Sequence, residues 1–328
     1  MDSLIFALNA VLPIVFLVAI GYALRRSGFL NDAFAKMANR VVFHVFLPAM
    51  LFLNVYKIDS IGDMEFDYVI YAAVVILLIF ACSLPVVLMI AKSPARRGAL
   101  WQATFRSNYA LVGIPLAQSL FGDGGVMVAT LLSAVVIPLL NVLAVVSLSV
   151  FQGDGQKPRV GQILLDIVKN PLIQSVAVGI AVLGIRAWFV EAEIAFRLSD
   201  VRPIYKTLES LSVLATPLAL LSLGARFEFS AVSELRREIV FGTLMRTVIV
   251  PVLGVGTAYW LFRSSFSGAH FAAFIAVFAT PVSISSVPMA QEMGGDVTLA
   301  GQLVVWSTLF SALSVFLTSF LLRSVGIF

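Results

Sequence analysis

The sequence predicts an all-α integral membrane protein, with ten transmembrane helices in two inverted five-helix repeats whose helices 4 and 9 are broken. Three observations predict it. The apolar residues come in blocks about as long as a hydrocarbon core roughly 30 Å thick requires. Charged residues make up only 12% of 328 positions, against roughly a quarter in soluble domains. A ten-residue motif also recurs near the ends of the fourth and ninth blocks. Mean hydropathy is +1.01 and 60% of residues are hydrophobic, so lipid is the main solvent of this chain.

The spans are expected at 4–24, 38–56, 68–91, 99–120, 125–151, 170–189, 204–225, 238–262, 269–292 and 297–323. The first follows Met1-Asp2-Ser3, which lacks the basic stretch of a secretory signal, and no small-residue cleavage site comes after it; it reads as a retained helix. The third holds Cys82, the single cysteine, which leaves no disulfide framework and no Cys/His metal spacing. The seventh begins at Pro203-Ile204-Tyr205-Lys206-Thr207-Leu208-Glu209, polar enough for a loop or an interfacial turn.

Lysine and arginine are enriched in cytoplasmic loops. With the N-terminus outside, 13 lie inside (Arg25, Arg26, Lys36, Arg40, Lys92, Arg96, Arg97, Lys157, Arg159, Lys169, Arg226, Arg236 and Arg237) and 7 outside. Both termini are therefore expected in the periplasm of a bacterial inner (plasma) membrane. The basic residues sit in short loops beside apolar blocks, where they meet anionic lipid. The formal charge of +4 thus points to membrane lipid and not to nucleic acid.

The recurring motif is Ile114-Pro115-Leu116-Ala117-Gln118-Ser119-Leu120-Phe121-Gly122-Asp123, matched by Val287-Pro288-Met289-Ala290-Gln291-Glu292-Met293-Gly294-Gly295-Asp296. Five spans separate the copies. An odd number reverses the orientation of the second copy, as in inverted-repeat carriers. The chain is accordingly divided into a first repeat, 1–152, a cytoplasmic linker, 153–169, and a second repeat, 170–328.

Spans four and nine carry the candidate chemistry. Ser107-Asn108 to Gly113-Ile114-Pro115, and Pro281 with Ser283, Ser285, Ser286 and Pro288, put helix breakers near mid-membrane. Proline removes a donor and clashes with the preceding turn. Each span is expected to break, with a new half-helix starting near Pro115 and Pro288, unless the prolines merely kink it. Unwound backbone at that depth needs protein or a wet cavity around it, and paired helix N-termini favour an anion. The site candidates are Asn108, Gly113, Pro115, Asn141, Pro281, Ser285 and Pro288.

Three further residues could bear charge. Arg106 either snorkels to the cytoplasmic end or attracts substrate. Arg246, deeper in span eight, either pairs internally or is a ligand. His44 either carries a proton or packs. Acidic residues stand at span edges, so no metal site is nominated, and a proton or sodium coupling ion stays open, as does a homodimer. The chain holds no phosphate-binding loop, no His-Glu-x-x-His and no Gly-x-Ser-x-Gly, which argues against ATP-driven pumping and against an enzyme. No cofactor is expected.

Asn108-Tyr109-Ala110-Leu111-Val112-Gly113-Ile114-Pro115, Ile137-Pro138-Leu139-Leu140-Asn141, Asn170-Pro171 and the stretch from Pro281 to Gln291 together resemble a prokaryotic auxin efflux carrier, related in fold to bile acid/sodium symporters. The resemblance runs nearly end to end. It implies ten helices, a scaffold and a transport domain, a substrate site at the helix 4/9 crossover lined or shaped by Asn108, Pro115, Asn141 and Pro288, and elevator-like alternating access. It also implies secondary transport of small organic anions such as malate. A membrane sensor or regulatory subunit that binds a small carboxylate without cycling is the alternative.

Overall fold

The computed structural model describes residues 2–58, 66–152 and 160–328, the side chains of residues 2–8, 10 and 160 excepted. Twelve helices organise it: α1 (Asp2–Arg26), α2 (Asp32–Tyr56), α3 (Phe66–Ile90), α4 (Pro94–Phe105), α5 (Tyr109–Ser149), α6 (Val160–Lys169), α7 (Pro171–Glu191), α8 (Arg202–Ala225), α9 (Arg236–Phe262), α10 (Gly268–Phe278), α11 (Ser286–Glu292) and α12 (Val297–Ser324). Seven of the described helices, α2, α3, α5, α7, α8, α9 and α12, are long and apolar enough to cross a membrane. The chain is an all-α membrane protein. Among the described residues the one extended pairing is a single antiparallel bridge, Ser107 with Val282.

Local chemistry sets the helix starts. Asn31, Ser93, Asn170 and Asp296 precede α2, α4, α7 and α12, and each side chain accepts a hydrogen bond from a backbone N–H of the first turn, which satisfies an otherwise orphaned donor. Pro171 follows Asn170 at the first helical position, where its missing N–H costs nothing. The polar start of the seventh span, read from sequence as a loop or interfacial turn, is already helical from Arg202.

α5 joins two of the predicted spans. It breaks at Phe121 and Gly122, the latter at φ 57° and ψ −145°, a conformation that glycine adopts without strain. The chain doubles back there: the Tyr109 hydroxyl donates to the Ala129 carbonyl at 2.6 Å, and Gly125 lies against the Ala117 carbonyl. Of the expected linker, residues 153–159, with Lys157 and Arg159, lie outside the described residues, and the remainder is helix α6.

The helices pack in two groups, joined by α1 against α12. α8 lies against α1 and α2, and α7 against α2. α10 packs on α5, while α4 is held by α3, α5 and α12. The first group meets backbone to backbone: a Cβ on Gly21 would fall 2.2 Å from the Leu221 carbonyl oxygen, and one on Gly224 would fall 2.0 Å from that of Val18. Small residues permit that approach where lipid supplies no hydrophobic drive between helices.

Candidate functional site

Between α4 and α5, and again between α10 and α11, the backbone leaves the helix. In the second break Pro281 supplies the cause, because it disfavours helical geometry at Thr280 and cannot donate to the preceding turn; α10 ends at Phe278. The first break lies six residues or more ahead of its proline. Arg106 is extended at φ −81° and ψ 103° and Asn108 sits at φ −83° and ψ 51°, so α5 starts at Tyr109 and not near Pro115. Pro115 instead follows a π-helical turn, Tyr109–Gly113, whose wider ring relieves the clash with the upstream carbonyl. α11 starts at Ser286, with Pro288 in its first turn.

The two breaks cross and bond to each other. Asn108 N–H donates to the Pro281 carbonyl at 2.8 Å, and Ser283 N–H to that of Arg106 at 3.2 Å. Val282 N–H is taken up by the Ser307 hydroxyl of α12 at 3.0 Å. Arg246 satisfies the carbonyls: its Nε donates to Thr280 at 2.7 Å, its Nη2 to Val277 at 2.5 Å and its Nη1 to Phe105 at 3.3 Å. One guanidinium thus serves the negative ends of both α4 and α10. It is 1% exposed and reaches the crossing from a π-helical turn of α9, Met245–Ile249.

A small cavity lies at the crossing and is lined by Arg106, Ser107, Asn108, Asn141 and Ser285, with Met50 and Thr216 facing them from α2 and α8. Arg106 is 3% exposed. Its Nη2 donates to Asn141 Oδ1 at 2.9 Å and its Nη1 to Gln102 Oε1 at 3.2 Å, with the Met289 sulfur beside it. Asn141 is oriented by donating through Nδ2 to the Ile137 carbonyl at 2.8 Å. Burial overturns the snorkelling reading of Arg106. Among the described residues no carboxylate pairs with it. The Ser107 hydroxyl and the Asn108 amide nitrogen are buried without a partner, which leaves two donors at the same wall.

Asn108, Met50, Thr216 and Ile284 also line a wider vestibule, together with Pro115, Asn54, Asn9 and Ser212. The opposite end is closed by polar contacts. Gln291 Oε1 accepts from Arg226 Nη1 at 2.8 Å and from Asn39 Nδ2 at 3.2 Å, and its Nε2 donates to the Lys36 carbonyl at 3.0 Å; Arg96 meets Glu234, Glu238 and Asp296.

The remaining candidates lie outside the cavity walls. Pro281 contributes its carbonyl to the crossing, and Pro288 is buried in α11. Arg246 is spent on backbone. His44 is exposed on the outer face of α2, its Nδ1 2.9 Å from the Arg40 carbonyl, and it faces neither cavity. Gly113 is a close-approach residue: an added Cβ would lie 2.7 Å from both the Ala276 carbonyl oxygen and the Tyr109 ring. Gly113→Ala is expected to cost about 1–3 kcal/mol of stability, read as a lower melting midpoint of the purified protein. Sequence reasoning missed Gln102, whose Nε2 also donates to the Ser286 carbonyl at 3.2 Å; its spacing of four from Arg106 on one helix face was the available signal.

A family profile described as membrane transport protein matches residues 6–157 and 159–319. The chain belongs to the auxin efflux carrier family. Among similar members of the family, an uncharacterised transporter of Methanothermobacter thermautotrophicus is 26% identical over 327 residues, covering 96% of this chain and 98% of its own length. An uncharacterised transporter of Methanocaldococcus jannaschii is 25% identical over 322 residues, with the same coverage of each chain. This auxin efflux carrier family member is a multi-pass membrane transporter, and its two broken helices cross as the family resemblance implies.

Proposed function

We propose that the chain is a secondary carrier of small organic anions, malate or a related carboxylate, which bind at the helix crossing and pass by alternating access. One observation carries the reading: Arg106 is a buried guanidinium on the cavity wall with amide partners but, among the described residues, no carboxylate. A buried charge left without a counter-charge is costly, and a carboxylate supplies that charge while the orphaned Ser107 and Asn108 donors complete its hydrogen bonds. Charge-assisted donors of this kind are the stronger class.

Inverted halves of 1–152 and 170–328, ten crossings and periplasmic termini belong to the same proposal. The bridge between Ser107 and Val282 joins positions within two residues of equivalence under the motif's spacing, and this supports a two-fold relation between the halves. The vestibule at the α1 N-terminal end and the far end held by Gln291 and Arg96 support reading this arrangement as outward-facing if the termini are periplasmic.

The test is counterflow in proteoliposomes preloaded with unlabelled malate. Uptake of labelled malate that collapses when the internal malate is omitted is the expected result. Ligand-dependent thermal stabilisation without any exchange would instead favour a carboxylate sensor.

A further inference from the structure

Away from the crossing, α9 and α12 line a groove on the outer face of the molecule. Arg236 stands at one end, and Val240, Thr243, Trp306, Phe310 and Leu313 are among its walls. Val240 is 49%, Phe310 50% and Leu313 54% exposed. The groove follows α9 from Arg236 to Val248, about 18 Å at 1.5 Å per residue. One leaflet of a hydrocarbon core is about 15 Å deep. The groove therefore has the length of one leaflet and a cation at its headgroup end.

That cation is uncommitted among the described residues. Its acidic neighbours Glu234 and Glu238 both meet Arg96, and among the described residues neither Arg236 nor Arg237 has an ion-pair partner. Both arginines are exposed. Basic pockets between helices at a membrane surface recruit anionic headgroups, and here the basic residue stands at the end of a groove with mostly apolar walls.

We propose that the groove holds an anionic phospholipid, with an acyl chain between α9 and α12 and its phosphate on Arg236. The site lies apart from the helix crossing and does not depend on the identity of the transported anion.

Full-length protein in detergent would be loaded with equimolar dioleoyl phosphatidylglycerol and dioleoyl phosphatidylcholine, partly delipidated, and its retained lipid read by native mass spectrometry. The expected result is retention of phosphatidylglycerol over phosphatidylcholine by about fivefold or more, the scale of one basic residue at an anionic surface, with Arg236→Gln removing the preference. Leu313→Trp, which fills the groove from an exposed position, is expected to lower retention of both lipids. Equal retention by the wild-type protein overturns the proposal, as does an Arg236→Gln variant that keeps its preference. Displacement by sn-glycerol 3-phosphate alone would make this a plain anion site and overturn it, as would a dimer, weakened by Leu313→Trp, that excludes lipid from the groove.

Discussion

Arg106→Met is expected to lower malate counterflow by about 30-fold or more, because removing one member of a buried, hydrogen-bonded charge pair costs about 2–5 kcal/mol. Two properties of the site make the effect large. The guanidinium is on the cavity wall and held from both sides, by Gln102 on its own helix and by Asn141 across the hairpin, so it needs little reorganisation to receive an anion. It also lacks a carboxylate partner among the described residues, so its charge is available to a ligand. Arg106→Lys keeps the charge but loses the planar fork, and partial activity with a raised KM is expected. Initial counterflow rates over a range of malate concentrations, normalised to protein in the vesicles, check both variants. Wild-type rates in Arg106→Met would remove Arg106 from the site.

Arg246→Met is expected to fail earlier, at the fold. Three backbone carbonyls at the crossing, Phe105, Val277 and Thr280, depend on this one side chain. Each buried polar group left unsatisfied costs about 1–3 kcal/mol, and these carbonyls are buried too deeply for water to replace the donor. The sum is a large fraction of a typical folding free energy of about 5–15 kcal/mol. A strongly lowered melting midpoint, or a chain that is degraded before it can be purified, is the expected outcome. Arg246→Lys can satisfy some of the carbonyls and should fall between the two. The contrast with Arg106 is diagnostic: Arg106→Met should insert and remain folded, whereas Arg246→Met should not. Thermal denaturation of the two proteins in the same detergent separates the roles.

Both arginines look alike in the sequence, as cations within apolar spans, yet the structure gives them opposite duties. Arg106 is close enough to a span end that snorkelling is reasonable from position alone. It is buried because it lies in the unwound stretch itself, and that stretch turns inward to pair with Ser283. Arg246 lies mid-span with no carboxylate in view, and its partners are backbone atoms that every sequence possesses. No side-chain pattern announces a carbonyl that has lost its helical partner. His44 illustrates the reverse case: its chemistry suggests a proton carrier, but its angular position on α2 turns it outward.

The breaks were only partly readable. Pro281 marks the second because proline's geometry is local. The first break has no proline within it, and Pro115, the nearest, widens a turn further along instead of starting the half-helix. What unwinds Arg106 to Asn108 is the competing set of hydrogen bonds offered by the other crossing strand, a partner more than half the chain away.

Composition, apolar block length and breaker positions determined the solvent, the helical class and which two segments would be interrupted. All of these follow from short-range rules: a membrane tolerates no unpaired backbone, and the run of residues needed to cross it is set by its thickness. Only the tertiary structure decided which arginine faces the cavity, which one closes the backbone, and where the first half-helix begins. Those outcomes depend on hydrogen bonds between residues far apart in the chain, whose partners exist only once the two unwound segments have met.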